Sequence, residues 1–156
     1  MATVADNVQL RWEIHHPTIL ALATFVAAMW WGPGAYAHAA KEQWHVDQLY
    51  TCVFTLSTVI TAFLFTFYTF IITGDRGFLS ASRNTTYFKQ TISYTFKAIV
   101  TGALLAGASI PMLVVQPTPK AGEPWMFAAA AWAALTVWSV SSFVRAAWLF
   151  AIFARQ

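Results

Sequence analysis

Residues 49–73 read LYTCVFTLSTVITAFLFTFYTFIIT, a run of 25 positions without a single Asp, Glu, Lys, Arg or His. At about 1.5 Å of rise per residue, a helix of this length covers about 37 Å, which exceeds the roughly 30 Å of a bilayer's hydrocarbon core. The stretch therefore predicts a transmembrane helix, and the rest of the chain is interpreted outward from it.

Small and hydroxylated residues recur along this helix at alternating steps of three and four, which confines them to an arc of about 80°. They form what we name the threonine line: Thr51, Thr55, Thr58, Ala62, Thr66, Thr69 and Thr73. Lines of this kind pack transmembrane helices together, so we expect a helix-packing seam. Pore lining is the alternative, but no acid or charged ring accompanies the line inside the membrane. Ion flux in liposomes would test that alternative.

The composition agrees with a membrane protein, since 58% of the residues are hydrophobic and only 10% are charged, against about 25% charged in soluble domains. The single Cys52 excludes an intrachain disulfide and a thiolate zinc cluster. The sequence contains no recognisable Ser/His/Asp set, carboxylate pair or phosphate loop. We expect a non-enzymatic protein without a cofactor, surrounded by bound lipids.

Four apolar runs predict an all-α fold, a four-transmembrane-helix bundle in one domain over residues 1–156, with spans at about 17–31, 49–73, 94–115 and 125–148. Gly32-Pro33-Gly34 predicts the end of the first span, followed by a short amphipathic extracytoplasmic segment over residues 35–48. A kinked helix that continues to about His38 is the alternative. In the last span we expect a long helix with Arg145 reaching the headgroups, rather than an interfacial segment beyond Arg145.

Four spans place both termini and the central loop on one side of the membrane. Seven of the nine basic residues fall on that side, namely Arg11, Arg76, Arg83, Lys89, Lys97, Arg145 and Arg155. Only Lys41 and Lys120 fall opposite. The positive-inside rule then predicts that both termini and the central loop are cytoplasmic. Because topology accounts for the basic residues, no nucleic-acid binding is expected.

Two further groups of residues are candidates for contacts. Gly102, Ala106 and Gly107 give the third span a small-residue face on which another helix can approach closely. The basic residues Arg76, Arg83, Lys89 and Arg145 are predicted to meet anionic lipid headgroups or a soluble cytoplasmic partner.

His38, Glu42 and His45 are spaced at four and three, so one helix face could present all three to a metal ion. A solvated helix face is the favoured interpretation, because no fourth ligand is visible. No histidine lies deep in a span, which argues against a haem between helices.

The second and third spans carry one resemblance. TAFLFTFYTFIIT at residues 61–73, a short basic loop, and RNTTYFKQTISYTFKAIVTGALLAGASIP at residues 83–111 together resemble the small four-span proteins of bacterial antiphage operons, the Kiwa membrane subunit among them. The resemblance covers about half of the chain. It implies a homo-oligomer in the inner membrane that senses damage or infection and works with a soluble partner, and it supplies no catalytic residues.

The competing interpretation is an accessory structural subunit of a larger respiratory or photosynthetic membrane complex. Eight tryptophans suit that role, since Trp side chains favour membrane interfaces. The material that copurifies would separate the two interpretations: a homo-oligomer alone, or a coloured particle of several subunits.

Overall fold

The computed structural model describes residues 4–73, 86–117 and 122–153, with side chains described over residues 15–73, 88–117 and 122–151. Over these residues the chain forms four α-helices and no strand: α1 (Val4–Lys41), α2 (Val46–Thr73), α3 (Thr86–Val115) and α4 (Pro124–Phe153). Each contains a segment long and apolar enough to cross a membrane: His15–Lys41, Val46–Thr73, Phe88–Val115 and Pro124–Ala151. The predicted all-α fold class with four transmembrane helices is confirmed.

The end of α1 differs from the favoured prediction. The helix does not stop at Gly32-Pro33-Gly34 but includes Pro33 and continues to Lys41, as in the alternative of a helix running past the prolyl bond. In an apolar setting an interrupted backbone leaves polar groups unpaired, so a helix with one missing hydrogen bond is favoured over a break. Residues 35–41 therefore belong to α1, and no separate amphipathic helix spans residues 35–48.

The stop itself is a C-terminal cap around Gln43, whose φ is 56°. The Trp44 N–H donates to the Ala39 carbonyl at 2.9 Å, and the Gln43 N–H donates to the Ala40 carbonyl at 3.3 Å. This pair of bonds defines a Schellman motif, which satisfies carbonyls that the helix end leaves unpaired. Glycine usually occupies the left-handed position, and its replacement by Gln43 is why the sequence did not reveal this stop.

The remaining helix boundaries concern the end of α3 and both ends of α4. Pro111 does not end α3, which continues to Val115, where the Gln116 N–H donates to the Met112 carbonyl at 3.0 Å. Pro124 is the first residue of α4, where its missing N–H costs nothing. The helix then continues past Arg145 to Phe153, so the predicted long helix is confirmed.

The chain divides into two compact units. The first unit comprises Met1–Trp44 and Pro117–Trp138, and the second comprises His45–Gln116 and the remainder of α4 from Ser139 onward. The second unit is built on the pairing of α2 with α3. On α2 the buried residues recur every seventh position, as Tyr50, Ser57, Leu64 and Ile71. On α3 most of them recur at steps of three and four, as Phe88, Thr91, Thr95, Ala98, Gly102, Leu105, Ser109 and Met112, and Thr101 is buried beside Gly102. Both spacings are those of helices that pack side by side along their length.

Helix α4 completes the core of the second unit. Leu64, Ala98 and Ala146 are each at most 4% exposed and form its centre, flanked by the partly buried Ile60, Ile99 and Phe143. Two aromatic pairs close the sides: Phe67 with Phe150 at 4.4 Å between centroids, and Tyr68 with Phe96 at 5.9 Å. Small residues at the centre allow close helix contact, and rings fill the gaps at the edges.

The first unit pairs α1 with the beginning of α4. Its buried residues are mostly small, with Ala21 and Ala39 on α1 and Ala129 and Ala130 on α4. At Gly32 the terminal methyl of Met126 occupies the space that a Cβ would need. The absent side chain of Gly32 therefore lets α4 approach α1 here.

Large apolar side chains cover the outside of all four helices. Among them are Leu22, Trp30, Phe63, Leu104, Val114 and Trp148, each more than half exposed. Such a surface is unfavourable in water and is favourable in lipid, so it indicates a membrane protein.

Candidate functional site

The threonine line lies on the exposed side of α2. Thr51, Thr55, Thr58, Ala62, Thr66 and Thr69 are all exposed, whereas the face turned toward α3 carries Tyr50, Ser57, Leu64 and Ile71. The predicted packing seam is therefore not formed within the described part of the chain. Contact with another chain along this line stays a prediction.

Five of the six hydroxyls of the threonine line are already paired within α2. Thr58 Oγ1 donates to the Phe54 carbonyl at 2.8 Å, and Thr66 and Thr69 bond in the same way to the carbonyls four residues earlier, at 3.0 and 2.9 Å. Thr51 and Thr73 also do so, at 3.1 and 2.8 Å. The line consequently presents methyl groups and small side chains outward, with most of its hydroxyls bonded within the helix.

The three small residues predicted on α3 separate into two kinds. Gly102 is buried, and Thr61 Oγ1 from α2 occupies the place that its Cβ would take. Gly107 is exposed, and no atom lies within 4 Å of the position that a Cβ would take there. Ala106 is half-buried. Gly102 therefore enables the contact of α2 with α3, while Gly107 takes no part in it.

Thr61 is a residue that sequence reasoning missed. Its Oγ1 is fully buried and has no hydrogen-bond partner among the described residues. Ser139 Oγ from α4 lies 3.8 Å from the position that a Cβ of residue 102 would take. The hydroxyls of Thr61 and Ser139 therefore both face Gly102. Thr61 falls outside the threonine line, and its only sequence signal is its place on the heptad face of Ser57 and Leu64.

Of the predicted basic residues, Arg76 and Arg83 lie outside the described residues, and Lys89 is exposed on α3. Arg145 is half-buried, with its guanidinium carbon 3.8 Å from the centroid of the Tyr94 ring. The Lys97 ammonium lies 5.7 Å from the same centroid. Arg145 thus stacks on an aromatic ring of the neighbouring helix, and its contact with lipid headgroups stays a prediction.

We name Tyr94, Lys97 and Arg145 the Tyr94 cluster. The sequence analysis used Lys97 only for topology and did not single out Tyr94, although a Tyr with a Lys three residues later shares one helix face. Their proximity to Arg145, some fifty residues away in sequence, is decided by the packing of α4 against α3.

The candidate metal ligands are not gathered into a site. His38, Glu42 and His45 are all exposed, and the His38 ring meets Trp44 edge-on at 6.0 Å between centroids. Within the described ranges no three His, Cys, Asp or Glu side chains are placed to hold one metal ion. The three residues also do not share one helix, because α1 ends at Lys41 and α2 begins at Val46.

Four helices of membrane-spanning length with a lipid-compatible surface define a polytopic membrane protein. No protein-family model matches this chain, and no curated protein and no solved structure is similar to it.

Proposed function

We propose that this chain is a non-enzymatic membrane scaffold that assembles with copies of itself along the threonine line. The exposed position of that line carries the proposal. In a membrane no hydrophobic force drives two helices together, so contact depends on close backbone approach and good packing. The line offers both, since its side chains are small and five of its six hydroxyls are bonded within α2.

Bulky neighbours make the line a groove on the outside of α2. Phe63, Phe65 and Phe70 are exposed by 60 to 65% beside it. A second helix seated on the small residues would gain dispersion contacts with these rings. On α3, Ala103 and Gly107 form a second exposed small pair four residues apart, which suits the same kind of contact.

Disulfide trapping tests the assembly. Cys52 is exposed and is first replaced by serine; Thr58→Cys is then introduced, with Leu56→Cys as the matched control on an exposed part of α2 away from the groove. A disulfide needs Cα atoms within about 7 Å, so oxidation should trap dimers through Thr58→Cys and much less through Leu56→Cys. Equal trapping at both positions, or a monomeric mass in detergent and in lipid nanodiscs, would contradict the proposal.

The location that we propose is the bacterial inner membrane, with both termini and the basic loop in the cytoplasm. Support comes from the excess of basic residues on that side, seven against two. A cysteine placed at Ser82 should then react with an impermeant reagent only from the cytoplasmic side, and one placed at Ala121 only from outside.

For the role of the scaffold we propose sensing of infection or damage, with a soluble partner docked on the basic residues Arg76, Arg83 and Lys89. The resemblance to antiphage-operon membrane proteins supports this role. Arg76→Glu combined with Arg83→Glu should release the partner in a pull-down while membrane insertion and oligomer size stay unchanged. If nothing that copurifies changes, the loop serves topology alone.

The exposed tryptophans favour a second candidate function, an accessory subunit in a larger membrane complex. Trp30, Trp31 and Trp148 are 81%, 69% and 68% exposed, which offers large rigid contacts to other subunits. Gentle detergent extraction from the native membrane decides between the candidates, because a particle with several different subunits would replace the homo-oligomer.

A further inference from the structure

One hydroxyl in the middle of a membrane helix is held away from the kind of acceptor that its neighbours use. Thr61 is the central residue of the apolar run 49–73, about 18 Å from either end, and the bilayer supplies no water at that depth. Its Oγ1 is fully buried and has no hydrogen-bond partner among the described residues. An unpaired hydroxyl is unfavourable in such surroundings, so another contact must hold it in place.

A paired position for this hydroxyl exists on α2 itself. Thr58 Oγ1 donates to the carbonyl four residues earlier at 2.8 Å. The equivalent acceptor for Thr61 is the Ser57 carbonyl, and a rotation of about 120° about the Cα–Cβ bond changes which substituent points toward it. Burial does not prevent this pairing, because the fully buried Ser109 Oγ donates to the Leu105 carbonyl at 2.8 Å.

The facing helix accounts for the unpaired position. Thr61 Oγ1 occupies the place that a Cβ of residue 102 would take, and the next atoms are Thr61 Cβ at 3.6 Å and Ser139 Oγ at 3.8 Å. The Thr61 methyl group is farther away, so the oxygen faces Gly102. A hydroxyl oxygen is smaller than a methyl group and can accept a weak contact from a glycine Cα–H. The contact of α2 with α3 therefore sets the direction of this hydroxyl.

We propose that Thr61 is a two-position switch in the contact of α2 with α3. In the first position the hydroxyl faces Gly102 and is unpaired, as in this structure. In the second position the hydroxyl donates to the Ser57 carbonyl, and the methyl group or the β-hydrogen takes its place against Gly102. The first position lacks the hydrogen bond, and the second lacks the close contact of oxygen with glycine.

The switch gives the α2–α3 pair two arrangements, because the group that fills the space at Gly102 differs between them. A small difference in free energy between two such arrangements lets any ligand or bilayer that favours one of them shift the populations. The threonine line lies on the other, exposed side of α2. The switch is therefore independent of whether the chain forms oligomers.

Methyl NMR of the full-length protein in lipid nanodiscs, with labelled threonine, tests the switch. Three-bond couplings of the Thr61 methyl carbon to the backbone nitrogen and carbonyl carbon report the rotamer. In the wild type they should report the unpaired position as the major one, and methyl relaxation dispersion should show exchange with a minor one. Thr58, which is bonded within the helix, is the internal control and should show one rotamer without exchange.

The wild-type measurement decides the proposal even if no variant folds. A single Thr61 rotamer without exchange would overturn it, and so would a hydroxyl that is bonded to the Ser57 carbonyl in the major state.

One pair of variants then shows what holds the switch. Gly102→Ala places a Cβ where Thr61 Oγ1 lies, so the Thr61 couplings should change to those of the position bonded to Ser57. Gly107→Ala adds the same methyl group to the same helix where no atom lies within 4 Å, and should leave the Thr61 couplings as in the wild type. If Gly102→Ala leaves the Thr61 rotamer unchanged, or if both alanines change it equally, Gly102 does not hold the hydroxyl and the proposal is wrong.

Discussion

Two lines of small and hydroxylated residues run along neighbouring helices, and they lie in opposite surroundings. One includes Thr95, Ala98, Gly102 and Ser109 on α3 and is buried against its neighbours. The other is the threonine line of α2, which is exposed along its whole length. Both follow the same three-and-four spacing. Composition alone therefore does not tell which line packs inside the chain.

The hydrogen bonds of the two lines are also alike. Ser109 Oγ on the buried line donates to the Leu105 carbonyl at 2.8 Å, and Thr58 Oγ1 on the exposed line donates to the Phe54 carbonyl at 2.8 Å. Pairing within the helix satisfies each hydroxyl before any neighbour arrives. What separates the lines is shape, because only the α3 line has a glycine that receives a side chain of the facing helix.

The largest effect is expected at that glycine. Gly102→Leu places side-chain atoms where Thr61 Oγ1 lies, and overpacking of this kind should lower the free energy of unfolding by about 2–3 kcal/mol. Unfolding in detergent followed by circular dichroism would measure the loss.

Gly107→Leu is the matched control for this substitution. Its Cβ meets no atom within 4 Å, so the free energy of unfolding should change by no more than about 0.5 kcal/mol. Any effect of Gly107→Leu should appear instead in the oligomer mass. Equal destabilisation by Gly102→Leu and Gly107→Leu would mean that the two glycines have the same surroundings, and would contradict the contrast between a buried Gly102 and an exposed Gly107.

A smaller effect of opposite sign is expected at Thr61. Its hydroxyl is buried without a hydrogen-bond partner among the described residues, so Thr61→Val should raise the free energy of unfolding by about 1 kcal/mol. Thr58→Val on the threonine line is the control and should change stability by a few tenths of a kcal/mol at most. A lower stability of the Thr61→Val chain would show that the Thr61 hydroxyl does have a hydrogen-bond partner, contrary to the structure.

The smallest effect is expected at Gly32, the close contact of the first unit. Gly32→Ala meets only the terminal methyl of Met126, which can rotate away, and alanine gains about 1 kcal/mol of helix propensity over glycine. Stability should therefore stay within about 0.5 kcal/mol of the wild type. Gly102→Ala, which meets the stiff β-branched Thr61, should cost more. The reverse order would mean that α1 is packed more tightly than α2 and α3.

The sequence by itself determined the number of membrane helices and most of their extent. Long apolar runs identify helices in lipid because no other open structure pairs every backbone group there. The helix past Arg145 was predictable for the same reason. The end of α1 was not, since the cap uses Gln43 in a left-handed conformation that sequence patterns assign to glycine.

Only the tertiary structure decided which faces meet. Threonine and glycine lines on α2 and α3 look equivalent in sequence, and the choice between them depends on whether a neighbour's side chain fits into the space at one residue, as Thr61 does at Gly102. The Tyr94 cluster has the same origin, because a ring on α3 and a guanidinium on α4 come together through the register of the two helices. Register is a property of packed pairs of helices, so no single segment of the sequence contains it.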